Sequence, residues 1–556
     1  MLYNLLIGGA AGQGIETSVA VLQKFIKNSG YYIFTVRDFM SRVRGGHNFS
    51  LLRFGVDPIY SHSEVLDGII AFDEATIQLH SDKLKSDGFI LCDSQIKSDD
   101  PRVIALDMQA LGKQLGNTRS TGSIATGVVL KLFGLEITNA EKVISDYIKG
   151  QYLELNVKAL EEGYNLVETR FKLAEGIKNE RIILNGNEAL GFGALAAGLK
   201  FYCAYPMSPS TTILEYLAEA ADDAGIVVEQ AEDEIAAINM AIGAAFAGAP
   251  SMTGTSGGGF CLMVEALGLS GIAEIPLVVA NVQRPGPATG LPTRTEQSDL
   301  KFVISASQGE FPRMVIAIRN HTDAFYQTAR AFYIADKYQI PVIILSDQYL
   351  SDSYASVEPF DLKAAEFNIE ETVFLSEENY LRYRFTEDGI SPRLIPGKSK
   401  NLVAADSDEH DERGWITEEA DVRIKMMDKR LKKLEKLQEE LLEPDFIGEE
   451  TFDTLFVGWG STFGPISEAV HILNKKEPGK YAALIFGDVY PLPQKLLLEK
   501  AAIAKRIINI EQNATGQLGD LIREQAGIVC DDSILKYDGR QISSDEIADR
   551  IRKEAM

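Results

Sequence analysis

Short apolar, β-branched runs alternate with stretches of helical period along most of this chain, and several of the runs end in a glycine turn. The opening LYNLLIGGAAGQG is one such strand and turn, ETSVAVLQKFIKNSG then has helical period, and YYIFTV resumes as strand, a β-α-β start. GIIAFD, FILCD and RVIALD carry the pattern on to about residue 180. A second set begins at RIILNGNEALGFGALAAG and passes through GIVVEQ, SMTGTSG, IPLVVANV and PVIILSD. A third follows in TLFVGWGSTFGPISEAVHIL, YAALIFGDVYPLP and RIINIEQNATGQLGDLI. Strands alternating with helices predict an α/β protein, with a doubly wound, mainly parallel sheet in the first unit. A chain of 556 residues is too long for one core and divides into several.

The expected division is an α/β unit over 1–180, a second over 181–354, a connecting segment over 355–445 and a third α/β unit over 446–556. Within the connecting segment, DSDEHDERGWITEEADV is acidic and irregular. RIKMMDKRLKKLEKLQEELLEP then places Met427, Leu431, Leu434, Leu437 and Leu441 near one stripe of a charged helix. A solvated linker helix is the expectation there, and a partner-docking helix the alternative.

Charge narrows the function classes. With 55 Lys and Arg against 80 Asp and Glu, the formal charge of -25 opposes binding to nucleic acid and to anionic membrane surfaces. No apolar run reaches the roughly 18 to 20 residues that span a bilayer. The first ten residues, MLYNLLIGGA, lack the basic flank of a signal peptide, so the expected location is cytoplasmic. Cys92, Cys203, Cys261 and Cys530 are too far apart to form a CxxC motif, which predicts four buried apolar cysteines and no metal or iron–sulfur cluster held by this chain.

Several motifs carry chemistry. Gly9-Ala10-Ala11-Gly12-Gln13-Gly14 stands where a strand meets a helix, and either a phosphate cradle or an ordinary tight turn fits it. Arg42, Arg44, Gly45, Gly46 and His47 put two guanidiniums beside a glycine pair, suited to a phosphate or to a neighbouring subunit. Tyr205-Pro206-Met207-Ser208-Pro209-Ser210-Thr211-Thr212 concentrates hydroxyls before a helix, where they can cap it or bind a carboxylate, capping being the commoner use. Glu232-Asp233-Glu234 heads an alanine-rich helix, a placement the helix dipole favours by itself. Thr253-Gly254-Thr255-Ser256-Gly257-Gly258-Gly259-Phe260 and Arg284-Pro285-Gly286-Pro287-Ala288-Thr289-Gly290-Leu291-Pro292-Thr293 follow, and then TEQSDL.

In this order, YPMSPST, the glutamate heading the alanine-rich helix, TSGGGF, RPGPATGLPT and TEQSDL resemble the pyrimidine-binding domain of 2-oxoacid:ferredoxin oxidoreductases. GGAAGQG with RGGHNFS is similar to that family's gamma domain, and GWGSTFG with EQNATGQL to its transketolase-C-like domain. The resemblance covers nearly the whole chain except the linker. It implies a thiamine-diphosphate enzyme subunit that decarboxylates a 2-oxoacid with coenzyme A and passes electrons to ferredoxin.

Residue by residue, Glu234 matches the glutamate that acts on the pyrimidine N1′ and so promotes removal of the C2 proton. Arg284 matches the arginine that holds the 2-oxoacid carboxylate, a planar anion suited to the guanidinium fork. Ser208 and Thr293 match hydroxyl positions near that carboxylate, Ser208 standing where the family commonly has threonine. Tyr205, Pro206, Ser256 and Gly257 fall in the matched motifs as further cofactor-binding positions. A diphosphate and Mg²⁺ motif is not found in the sequence, nor are clustered cysteines. The resemblance assigns Mg²⁺ and a [4Fe–4S] cluster to a beta subunit, and implies a heterodimer or dimer of heterodimers that is inactive as the lone chain.

The fused gamma–alpha arrangement and GLPTRTEQSDL most resemble the 2-oxoglutarate synthase type, with pyruvate or broad specificity as the alternative. A second buried carboxylate needs a second cation. Arg294 is the candidate, a solvated or interface arginine or a beta-subunit cation being the alternatives. A reading from a different class, a dinucleotide-binding dehydrogenase with the glycine turn on a pyrophosphate and Asp38 about 24 residues on at a ribose, leaves YPMSPST and RPGPATG unexplained.

Overall fold

The computed structural model describes residues 2–39, 46–367 and 380–554. Contacts group the chain into two compact units. One holds Met1–Leu184 with Asp352–Pro359 and Ser543–Asp545, and the other holds Asn185–Ser351, Phe360–Ile542 and Glu546–Met556.

The first unit is built on an eight-stranded sheet. In space its order is Val103–Leu106, Leu84–Asp93, Leu66–Ala71, Leu2–Ala10, His47–Gly55, Tyr32–Asp38, Tyr354–Val357 and Ile182–Asn185. Leu2–Ala10 runs parallel to Leu66–Ala71, but His47–Gly55 inserts antiparallel between Leu2–Ala10 and Tyr32–Asp38. The expected mainly parallel sheet is therefore mixed. The inserted strand is hidden in the sequence because His47, Asn48 and Ser50 interrupt its apolar run. Tyr354–Val357, from the start of the connecting segment, pairs with Tyr32–Asp38.

The second unit carries two sheets. A seven-stranded one has the order Asp488–Tyr490, Met314–Ala317, Pro341–Asp347, Leu277–Gln283, Ser251–Thr255, Phe201–Ala204 and Val227–Gln230, parallel except at the Asp488–Tyr490 edge. A five-stranded sheet has the order Asp445–Ile447, Tyr481–Phe486, Thr454–Trp459, Arg506–Glu511 and Asp532–Leu535. Parallel strands are covered on both faces, which is why they read as continuous apolar runs. One buried cluster joins these two sheets, taking in Val279 and Leu345 from one and Trp459, Leu484 and Phe486 from the other.

The charged helix Ala420–Leu437 turns a different face inward from the expected stripe. Its buried residues are Met426, Lys429, Arg430, Lys433 and Leu437. The cause is Glu274, fully buried, to which Lys429 and Lys433 each bring an ammonium at 2.5 Å. Burial alone would raise the Glu274 carboxyl, but Lys433, Lys429 and Arg382 hold it well below the usual carboxylate range. A buried acid left unpaired costs several kcal/mol, so this helix points cations at the core alongside Met426 and Leu437, the one residue of the expected stripe within the helix that is fully buried, while Met427, Leu431 and Leu434 are half-buried. Cys261 is exposed and Cys530 half-buried, against the expectation that all four cysteines are buried. No helix among the described residues is long and apolar enough to cross a membrane.

Candidate active site

Four neighbouring parallel strands end at one edge of the seven-stranded sheet, and each delivers a motif there. Phe201–Ala204 leads into Tyr205–Ser208, Val227–Gln230 into Glu232–Glu234, Ser251–Thr255 into Ser256–Gly259, and Leu277–Gln283 into Arg284. Carboxyl ends of parallel strands are where open α/β sheets bind ligands.

At the head of the helix Glu234–Phe246, Asp233 performs the capping by accepting from the Ala236 amide at 2.8 Å. Glu234 is thus released from helix-start duty and turns inward, 6% exposed. A Cβ on Gly259 would lie 2.3 Å from Glu234 Oε1 and 2.2 Å from Thr255 Oγ1, so only glycine leaves room for that carboxylate. No hydrogen-bond donor reaches Glu234 among the described residues. At the N-terminus of the helix Gly257–Ile272, the Ser256 hydroxyl is buried and has no partner among the described residues. Gly257 plays the same part for Asp299, whose Oδ2 would lie 2.4 Å from an added Cβ. Asn281 Nδ2 donates to Asp299 Oδ2 at 3.0 Å, while burial pushes the Asp299 carboxyl up.

In the hydroxyl-rich turn, Ser210 Oγ donates to the Met207 carbonyl at 2.7 Å and makes no side-chain cap to the helix Thr211–Ala224. Thr212 Oγ1 accepts from Asn187 Nδ2 at 2.6 Å. Capping, the commoner use of such hydroxyls, is not what they do here. Ser208 is exposed, and its carbonyl accepts from Arg284 Nη1 at 2.7 Å, which brings these two together. Arg284 has no carboxylate partner among the described residues, and burial lowers its guanidinium from the ordinary value. Tyr205 is 42% exposed and Pro206 half-buried on the same turn.

Thr293 and Arg294 stand further along the Arg284 loop, both half-buried. Arg294 Nη1 donates to the Thr293 carbonyl at 3.4 Å, and an added Cβ on Gly539 would lie 3.2 Å from Arg294 Cβ. The described contacts tie this part of the loop to the Gly539 turn, with the Thr295 amide donating to the Gly539 carbonyl at 3.3 Å.

In the first unit, the glycine turn is filled by its own glutamine. Gln13 Oε1 accepts from the Ala10 amide at 2.7 Å and Gln13 Nε2 donates to the Phe72 carbonyl at 3.2 Å. His47 pairs with His80, ring nitrogen to ring nitrogen, at 2.9 Å. Arg42, Arg44 and Gly45 lie outside the described residues. No three His, Cys, Asp or Glu side chains among the described residues gather so as to hold a metal ion.

Residues 192–429 match the thiamine-diphosphate-binding family of pyruvate flavodoxin/ferredoxin oxidoreductases, and residues 4–166 match the pyruvate ferredoxin/flavodoxin oxidoreductase family. The alpha subunit of a Sulfolobus 2-oxoacid:ferredoxin oxidoreductase is 32% identical over an alignment that covers 100% of this chain and 97% of that one. This chain belongs to the 2-oxoacid:ferredoxin oxidoreductases, as an alpha subunit. The 2-oxoglutarate oxidoreductase subunit KorA of Mycobacterium tuberculosis is 32% identical over 78% of this chain and 68% of its own length. A solved 2-oxoglutarate:ferredoxin oxidoreductase from Magnetococcus marinus, with 2-oxoglutarate, coenzyme A and succinyl-CoA bound, superposes with a TM-score of 0.93 at 30% identity, covering 100% of both chains. The three sheets are accordingly the gamma-type, pyrimidine-binding and transketolase-C-like domains of this family, and the dinucleotide dehydrogenase reading falls.

The residues at the strand ends fit the pyrimidine end of thiamine diphosphate. Among the described residues Glu234 offers a buried, uncommitted carboxylate, Gly259 the space beside it, and Ser256 an uncommitted hydroxyl.

A second polar cluster, in the domain of the five-stranded sheet, is not evident from sequence. Glu511, fully buried, accepts from Trp459 Nε1 at 2.9 Å, Asn513 Nδ2 at 2.8 Å, Asn509 Nδ2 at 2.7 Å and the amides of Leu518 at 2.8 Å and Gly519 at 3.2 Å. Gln297 Nε2 donates to the Trp459 carbonyl at 3.0 Å, and the Gln297 amide to the Gln512 carbonyl at 2.7 Å. TEQSDL, GWGSTFG and EQNATGQL are thus one hydrogen-bonded knot that ties the pyrimidine-binding domain to the transketolase-C-like one. A lone glutamate in the apolar run RIINIEQ was the available signal for it.

Proposed function

We propose that this chain is the alpha subunit of an enzyme that oxidatively decarboxylates 2-oxoglutarate with coenzyme A, giving succinyl-CoA, carbon dioxide and reduced ferredoxin. The observation that carries it is one rim bearing both a buried carboxylate without donors, Glu234, and a half-buried guanidinium without a carboxylate, Arg284. Thiamine diphosphate, when bound, supplies the electron sink for loss of carbon dioxide. Glu234 holds a proton at the pyrimidine N1′, and its desolvated site strengthens that hydrogen bond. Tyr205, Pro206, Ser256 and Gly257 border the cofactor. Arg284 donates in parallel to the 1-carboxylate of the oxoacid, helped by the Ser208 and Thr293 hydroxyls, and Arg294 pairs with the distal carboxylate. The names of the KorA relative and of the Magnetococcus structure favour 2-oxoglutarate, whereas the general name of the Sulfolobus relative favours a broader range that includes pyruvate.

A beta subunit completes this reading, bringing the diphosphate and Mg²⁺ site and the [4Fe–4S] cluster. Ile235, Met240 and Leu262, exposed on the two helices that start at the rim, suit an apolar partner surface there. The location that goes with this reading is the cytoplasm. The test is to combine the chain with the product of a neighbouring beta-type gene and follow viologen reduction with 2-oxoglutarate, pyruvate and 2-oxobutyrate. Coenzyme-A-dependent reduction only in the combined sample, highest with 2-oxoglutarate, is the expected result. A preference for pyruvate would overturn the substrate, and turnover or stoichiometric iron in the lone chain would overturn the partnership.

A further inference from the structure

The loop from Arg284 to Asp299 is a closed excursion. At its base the Asp299 amide donates to Gln283 Oε1 at 3.0 Å, and Gln283 Nε2 donates to the Ser346 carbonyl at 3.1 Å. Within it, the Leu291 amide donates to the Pro285 carbonyl at 3.1 Å. Asp347 ends the adjacent strand directly beside Gln283, 2% exposed. Its carboxylate accepts from the Ser461 hydroxyl, from the Leu350 amide at 3.0 Å and from the Thr295 hydroxyl. Thr295 Oγ1 in turn accepts from the Tyr349 amide at 3.2 Å, so this hydroxyl is used both ways, and Thr295 is the residue after Arg294.

All of these donors are neutral. A buried carboxylate with no cation beside it among the described residues is an expensive device for stability alone, and burial pushes the Asp347 carboxyl up to about 6. Placed at a strand end under a ligand loop, it serves geometry.

We propose that Asp347, acting through Thr295, is a positioning residue that fixes the loop presenting Arg284, Thr293 and Arg294 to the 2-oxoacid. This deepens the function proposed above and rests on it. With the loop held, the guanidiniums meet the substrate already aimed; with it released, they must be ordered on binding, which weakens substrate capture more than the chemical step.

The test compares Thr295→Val, Thr295→Ser and Asp347→Asn in the complex with the beta subunit, reading KM and kcat by viologen reduction. Val and Asn should each raise KM about tenfold, the scale of a lost hydrogen bond to a charged group, with kcat within about threefold, while Ser stays within about twofold of wild type. A wild-type KM in Thr295→Val, or a Ser variant as impaired as Val, overturns the proposal. If Val does not assemble, Asp347→Asn decides by the same split, because it keeps the side chain's shape. A wild-type complex that reduces dye with pyruvate but not 2-oxoglutarate would refute the substrate reading instead, and the three variants read on pyruvate would still decide the positioning.

Discussion

Glu234 and Glu511 are both buried glutamates beside the first turn of a helix, and they are opposites in how they are satisfied. Glu511 receives five donors, two of them the Leu518 and Gly519 amides at the start of the helix Gln517–Ala526. Glu234 receives none among the described residues, because Asp233 has taken the cap and Gly259 removes the atom that would otherwise fill the space. A buried carboxylate with full coordination is a structural part. One with no donor among the described residues is left open to a partner that is not part of the fold, the role proposed above for Glu234.

The largest effect that separates the two belongs to stability. Glu511→Ala strands the Trp459, Asn509 and Asn513 donors together with two amides, and at about 1–3 kcal/mol for each buried unsatisfied group it should remove most of the folding free energy of its domain. Thermal unfolding and soluble yield would show it, and an unchanged melting temperature would mean that the knot is not structural.

Next in size is a change in selectivity. Arg294→Ala should raise KM for 2-oxoglutarate about tenfold or more, on the scale of a lost charged hydrogen bond, and leave pyruvate and 2-oxobutyrate nearly untouched. Equal losses on all three substrates would make Arg294 a part of the scaffold, as its packing against Gly539 allows.

A third difference is a slope. The Asp347 carboxyl, raised by burial to about 6 from 3.8, binds a proton more tightly in the native state than in the unfolded chain. Between about pH 4 and 6 the native carboxyl is still protonated while the unfolded one has ionised, so stability falls as pH rises through that window. Asp347→Asn should lack that fall, seen as a difference in melting temperature from wild type that shifts in the variant's favour from pH 4 to 6. Parallel pH profiles for the two proteins would refute it.

The sheets were legible where strands are buried on both faces. Leu277–Gln283 and Pro341–Asp347 are almost unbroken apolar runs, and each reads as strand. His47–Gly55 does not, because polar residues break its run and its place is set by the neighbours it pairs with. The charged helix keeps its period but is rotated about its axis, so that Lys429, Arg430 and Lys433 join Leu437 on the inward face. Its inward lysines answer to Glu274, more than a hundred residues earlier, and periodicity holds no record of so distant a charge. At the rim, the motifs named the right neighbourhood without saying which polar atoms are already spent. Asp233 rather than Glu234 caps the helix, and Ser210 bonds back to Met207, choices made by backbone geometry that residue type leaves open.

Glu234→Gln, measured in the complex with the beta subunit, bears most directly on what the bare carboxylate is for. Gln keeps the shape and removes the charge, so the melting temperature should stay at the wild-type value while turnover of 2-oxoglutarate falls by about 10² to 10⁴-fold, the range of general acid–base assistance. Near-normal turnover in a folded, assembled Glu234→Gln enzyme would contradict the role assigned to it.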